Sequence, residues 1–154
     1  MSPVSPRTLT LRKFLFAVLL LLIGVLVVRW LNEQSKPWVI PPEYKTLKNP
    51  LLPSESTLSS ARQIYADQCV QCHGEHGKGD GPQAWMHRPL PADLTDTRRI
   101  AAITDGEIFY QITEGRRPMP SFKRRLTEDQ RWQLVLLVRS FSQTAGHTNP
   151  RESQ

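Results

Sequence analysis

The chain has 154 residues, 22% of them charged and 39% apolar, with a formal net charge of +6, which suits one compact domain with extensions. Five of the twenty Lys and Arg (Arg7, Arg12, Lys13, Arg29, Lys36) lie in the first 36 residues, against one acid, Glu33. The other fifteen face thirteen acids over 37–154, a net near +2, too weak a basic stripe for a nucleic-acid binder.

The first element is the run FLFAVLLLLIGVLVV, Phe14 to Val28, which has no charge. As a helix it rises about 22 Å, short of the roughly 30 Å hydrocarbon core of a bilayer. Extension to 9–31 reaches full length if Arg12, Lys13 and Arg29 snorkel towards head groups, and it leaves Trp30 at interfacial depth. A cleaved signal peptide shares the basic start and apolar middle, but VLVVRWLNEQSK offers no A-x-A cleavage pattern and no nearby cysteine. The expectation is a single-pass anchor over 9–31 in a bacterial inner membrane. Arg7, Arg12 and Lys13 hold residues 1–8 in the cytoplasm, and the rest of the chain is periplasmic.

Residues 32–57 contain Pro37, Pro41, Pro42, Pro50 and Pro53, a density that favours extended chain and a semi-rigid linker. The same stretch carries Trp38, Val39, Ile40, Tyr44, Leu47, Leu51 and Leu52, for which a free tether has no use. It is expected to lie against another surface, either its own domain or a partner subunit.

A helical pattern follows. Leu58, Ala61, Ile64, Tyr65 and Cys69 recur at three- and four-residue steps, with Thr57 or Ser59 as N-cap and an end near Gly74. Thr104 and Glu107 have capping-box spacing, Ile108 and Ile112 share a face, and Gly115 supplies a stop. Thr127 and Gln130 open a third helix whose apolar residues (Trp132, Val135, Leu136; Leu134, Leu137, Val138, Phe141) cover more than one face. The fold class is all-α: a small domain over 58–143 with long loops, then a polar tail over 144–154. So small a domain has a thin core and needs something else to pack around.

The only two cysteines stand in QCVQCHGEHG as Cys69-Val70-Gln71-Cys72-His73. A zinc site needs four ligands, and no second Cys or His pair is present at matching spacing. A thioredoxin-like redox pair expects an α/β context, and a plain disulfide leaves His73 without a purpose. C-x-x-C-H is the attachment signal for c-type haem. Two thiols on one turn reach the two vinyl groups on one porphyrin edge, and the following imidazole projects over the ring to the iron. For the opposite face the candidates are Met119, Met86, His76, His87 and His147. Met119, bracketed by Pro118 and Pro120, has the most restricted backbone and is the preferred one.

The segment from about Leu58 to Phe141 resembles a class I monohaem cytochrome c of the bacterial, membrane-anchored kind found beside respiratory complexes. The matching pieces are ARQIYADQCVQCHG, GKGDGP, LPADLT, MPSF and LTEDQRWQLVLLVRSF. The resemblance implies one covalent haem c on Cys69 and Cys72, with His73 as proximal and Met119 as distal ligand. It also implies that the carbonyl of Pro82 accepts a hydrogen bond from the His73 imidazole, and that Tyr65 and Trp132 lie where the first and last helices cross.

With both axial positions filled, the iron has no open site, and His/Met ligation favours a raised potential. The expected role is one-electron transfer, as a subunit of, or partner to, a respiratory or photosynthetic complex, with redox proteins as partners. The alternative is a haem enzyme or gas sensor in which Met119 dissociates. Arg116, Arg117, Lys123, Arg124 and Arg125 are candidate docking residues for an acidic partner.

Overall fold

The computed structural model describes residues 6–34 and 38–147, and all its regular elements are helical. They fall into two units, divided after Val39.

The first unit holds α1 (Pro6–Gln34), 29 residues long and about 43 Å by the α-helical rise. Its stretch Arg12–Asn32 has a mean hydropathy of 2.8 and is long and apolar enough to cross a membrane. Phe14, Leu21 and Leu26 are among the many large apolar side chains that it leaves exposed.

The second unit begins at Ile40. It comprises α2 (Pro42–Lys45), α3 (Glu55–Gln68), α4 (Val70–His73), one 3-10 turn (Ala84–Met86), α5 (Thr97–Ala101), α6 (Asp105–Glu114) and α7 (Glu128–His147). Helices α3 and α7 share the largest contact between elements, and Ala61 and Val135 have no exposed surface. Tyr65 of α3 meets Phe141 of α7 edge-on, ring centroids 5.2 Å apart. Trp132 of α7 stacks on Phe109 of α6 at 4.0 Å and 13°. Both aromatics belong to one core with Ile100, Ile108, Ile112, Phe122 and Leu137.

The capping boxes expected at Thr104 and Thr127 are present. Thr104 N donates to Glu107 at 2.8 Å, and Thr127 N donates to Gln130 at 2.9 Å, each answered by the reverse bond. Each box stabilises its helix by about 1 kcal/mol. The α3 start differs from expectation. Ser54 is the N-cap, its hydroxyl accepting from Thr57 N at 3.1 Å, and Thr57 is the third helical residue of that box. Three short elements escaped the periodicity reading: α2, the 3-10 turn and α5, whose N-cap Asp96 accepts from Arg98 N and Arg99 N. None is long enough to show a period.

Of the two surfaces open to residues 32–57, the described part from Ile40 onward uses its own domain. The Asn49 amide donates to Trp132 O at 3.0 Å, Leu51 packs against the core, and the Tyr44 and Tyr110 rings meet at 4.7 Å. Only glycine permits this approach at the first turn of α6. A Cβ on Gly106 would overlap Tyr44 O and stand 2.8 Å from Leu47 Cβ. Gly106→Val is therefore expected to lower stability by about 2 kcal/mol through overpacking. In thermal unfolding this should move Tm down by roughly 8–16 °C. An unchanged Tm would mean that residues 40–52 do not lie on α6.

Candidate haem site

Helix α3 ends at Gln68, and Cys69, with φ −122° and ψ −33°, breaks the path before α4 begins. The break places Cys69 at the N-terminus of a single turn that carries Cys72 and His73, all three partly buried. Neither cysteine is in a disulfide. Burial first, and then the neighbouring Cys72 charge, push the Cys69 thiol up to about 12.

The turn leaves its last carbonyls without helical partners, as any helix end does. The loop that follows supplies the donors. Gly79 N bonds His73 O at 2.9 Å, Gly81 N bonds Cys72 O at 3.2 Å, and Gln83 N bonds Gln71 O at 2.8 Å. Gly81 passes so close that a Cβ there would stand 2.6 Å from Gln71 O. This accounts for the glycine spacing of GKGDGP in backbone terms. From above, the buried Tyr65 hydroxyl donates to Gly74 O at 2.8 Å, so desolvation raises its pKa.

The imidazole of His73 is held by the chain's next return. Its Nδ1 lies 3.1 Å from Ala92 O. A carbonyl only accepts, so Nδ1 carries the proton and the neutral ring keeps its lone pair on Nε2. Burial lowers the His73 pKa, the Ala92 bond opposes this, and the Arg99 charge lowers it further. The neutral ring is the form that binds a metal. The expected acceptor, the carbonyl of Pro82, is not the one found. Pro82 is exposed in the loop that caps α4, and the acceptor is Ala92 of LPADLT, ten residues later. Both candidates lie in loops, Pro82 after Gly81 and Ala92 after Pro91, and only the chain's path separates them.

Met119 stands in a short hairpin after α6. Gly115 ends the helix at φ +62°, Met119 N bonds Arg116 O at 2.8 Å, and the Met119 side chain is half-buried against the core. The other sixth-ligand candidates are placed differently. Met86 and His76 are exposed, His87 lies with Nε2 3.5 Å from Cys72 Sγ, and the side chain of His147 is outside the described residues. Among the candidate docking residues, Arg117, Arg124 and Arg125 are exposed, Arg116 is half-buried, and Lys123 is paired with Glu114 at 2.9 Å.

Sequence reasoning gave no role to Ala92, because a backbone acceptor has no side-chain signature. It also passed over Trp85, which is 71% exposed in a turn stitched to the attachment helix.

Two unpaired thiols and a neutral imidazole on one turn, with the ring's far nitrogen free, fit haem c. Among the described residues no buried side-chain polar atom lacks a partner, and no cluster of His, Cys, Asp and Glu could hold a bare metal ion. The fold and this motif define a class I monohaem c-type cytochrome with covalently bound haem c. Residues 56–138, more than half of the chain, match the model of one family, and the chain belongs to it: cytochrome c oxidase, cbb3-type, subunit III.

Among solved structures, the chain is similar to one from the reducing HAO-like protein complex Kustc0457/Kustc0458 of Kuenenia stuttgartiensis. The identity is 31% and the TM-score 0.54, over 69% of this chain and half the length of that one. The c-type cytochrome KustC0563 matches at 29% identity and TM-score 0.47, over 53% of this chain and 95% of that one. Cytochrome c6 from the diatom Phaeodactylum tricornutum matches at 21% and 0.46, over 57% and 97%. No curated protein matches the chain. As a c-type cytochrome, the protein transfers electrons.

Proposed function

We propose that this protein is a membrane-anchored one-electron carrier with His73 and Met119 as axial ligands and Cys69 and Cys72 as the thioether residues. It works as a subunit of, or fixed partner to, a respiratory or photosynthetic complex. One observation carries the reading: directly behind two unpaired thiols, an imidazole spends Nδ1 on Ala92 O and keeps Nε2 for iron. Haem c, when bound, supplies the reversible Fe(III)/Fe(II) couple.

The chain's own work is positional. The Ala92 bond fixes the tautomer and angle of the His73 ring and raises its basicity as a ligand. The loop from Gly79 to Gln83 holds the attachment turn rigid. The hairpin bridge at Arg116 and Met119 holds the thioether sulfur of Met119 at a set place, and the core around Phe109, Trp132 and Leu137 excludes water. A pocket that does not rearrange between oxidation states keeps the cost of electron transfer small.

In this reading α1 is the anchor. An anchored haem domain favours a fixed electron step over a wandering carrier. The likeness to one chain of the Kuenenia complex supports work alongside other proteins. Electrostatic docking rests on the exposed cations Arg117, Arg124 and Arg125, since Lys123 is engaged by Glu114.

Three measurements test these points. The reduced holoprotein should give a low-spin spectrum that carbon monoxide does not alter, and Met119→Ala should bind the gas readily. Gas binding by the unaltered protein would transfer the function to the haem-enzyme or sensor class. The full chain should stay with membranes through carbonate and high-salt washes, while a variant lacking residues 1–34 should be released; its retention would end the anchor reading. Replacing Arg117, Arg124 and Arg125 with Gln should slow oxidation of the reduced protein by the anion ferricyanide at low salt and flatten the salt dependence. Equal rates would remove the docking role.

A further inference from the structure

Arg131, in the first turns of α7, is 8% exposed, and among the described residues no carboxylate is paired with it. A buried cation needs compensation, and the structure shows three sources. Nη1 donates to Thr113 Oγ1 at 2.7 Å, and Nε donates to Thr127 O at 3.3 Å. The guanidinium carbon lies 4.9 Å from the centroid of the Phe109 ring, within cation–π range. Thr113 is in the last turn of α6, which ends at Glu114, where the helix presents its negative pole.

The same Thr113 is the point to which the Met119 loop returns. Its carbonyl accepts from the Ser121 hydroxyl at 2.7 Å and from Lys123 N at 3.1 Å, and the preceding Ile112 O accepts from Phe122 N at 3.3 Å. One residue is thus held by its side chain to α7 and by its backbone to the segment two residues beyond Met119.

We propose that Arg131 is a positioning residue for the distal ligand. Through Thr113 it fixes the end of α6 to which residues 121–123 are bonded, and so sets how readily Met119 leaves the iron. The inference rests on Met119 being that ligand. Because Arg131 reaches Thr113 by one planar, charged fork, shorter or neutral side chains cannot reproduce the contact.

The test uses the full-length ferric holoprotein and imidazole, which binds only by displacing Met119. Loss of the methionine–iron charge-transfer band in the far red reports the exchange. Arg131→Gln is expected to raise imidazole affinity about tenfold, which is about 1.4 kcal/mol. Thr113→Val, which removes the acceptor and keeps the charge, should raise it about threefold, in line with loss of one hydrogen bond. Arg131→Lys should fall between the wild type and Arg131→Gln. Phe141→Leu weakens the α3–α7 contact away from the loop, so it should lower Tm without changing imidazole affinity.

Wild-type affinity in both Arg131→Gln and Thr113→Val would overturn the inference. So would a rise in Phe141→Leu as large as in Arg131→Gln, which would make loss of stability the cause. If Arg131→Gln fails to mature, Thr113→Val decides alone. A wild-type protein with no far-red band would instead remove methionine ligation itself, and the inference with it.

Discussion

Three successive carbonyls at the end of a one-turn helix, those of Gln71, Cys72 and His73, govern the haem-binding half of this structure. They cannot be satisfied within α4, which stops at His73. The chain must therefore double back over the turn within a few residues. Gly79, Gly81 and Gln83 provide the donors, and the backbone approaches too closely for a side chain at position 81. From there the path continues to Ala92, whose carbonyl accepts the hydrogen bond from His73 Nδ1. The attachment turn, its capping loop and the acceptor of His73 form one connected arrangement.

The loop that carries Met119 is built by the same device. Helix α6 ends at Glu114, and its orphan carbonyls at Ile112 and Thr113 are taken by Phe122 N and Lys123 N. The residues between, including Met119, are closed into a loop by bonds that the helix end requires in any case. In both halves a proposed ligand, His73 or Met119, lies at or just beyond a helix end where the chain returns to cover the exposed carbonyls. The backbone around each is set by hydrogen bonds to those carbonyls.

That dependence explains what could be read in the residues alone. The all-α class, the α6 and α7 capping boxes and the attachment motif are side-chain patterns at fixed spacing, and they were legible. The role of Ala92 was not, because a carbonyl belongs to every residue and only the path of the chain selects one; the family resemblance pointed to Pro82 instead. The docking of residues 40–52 was half legible. Tyr44, Leu47 and Leu51 showed that the segment must cover something, but Gly106, the residue that receives it, looks like any helix-start glycine until Tyr44 is beside it. The pairing of Trp132 with Phe109 was missed for a related reason, since helix periodicity gives a face and never names the partner across it.

Helix α7 shows how a thin core keeps such loops still. Its Arg139 donates to Asp105, the first residue of α6, at 2.7 Å, and also to Ile100 O of α5 and Ile103 O of the connection between them. Arg131 donates to Thr113 near the C-terminal end. The spacing is eight residues on each helix, 105 to 113 and 131 to 139, or about 12 Å of rise. Two antiparallel helices are thus fastened at both ends, and the Phe109–Trp132 stack fills the space between. A slide of α6 along α7 would break both fasteners at once, whereas a purely apolar contact would resist such a slide only weakly. Both arginines use the several donors of a planar guanidinium, which lysine lacks, and this is how so small a domain resists movement with few buried apolar residues. For a c-type cytochrome that transfers electrons, that resistance to movement is a property the fold must supply.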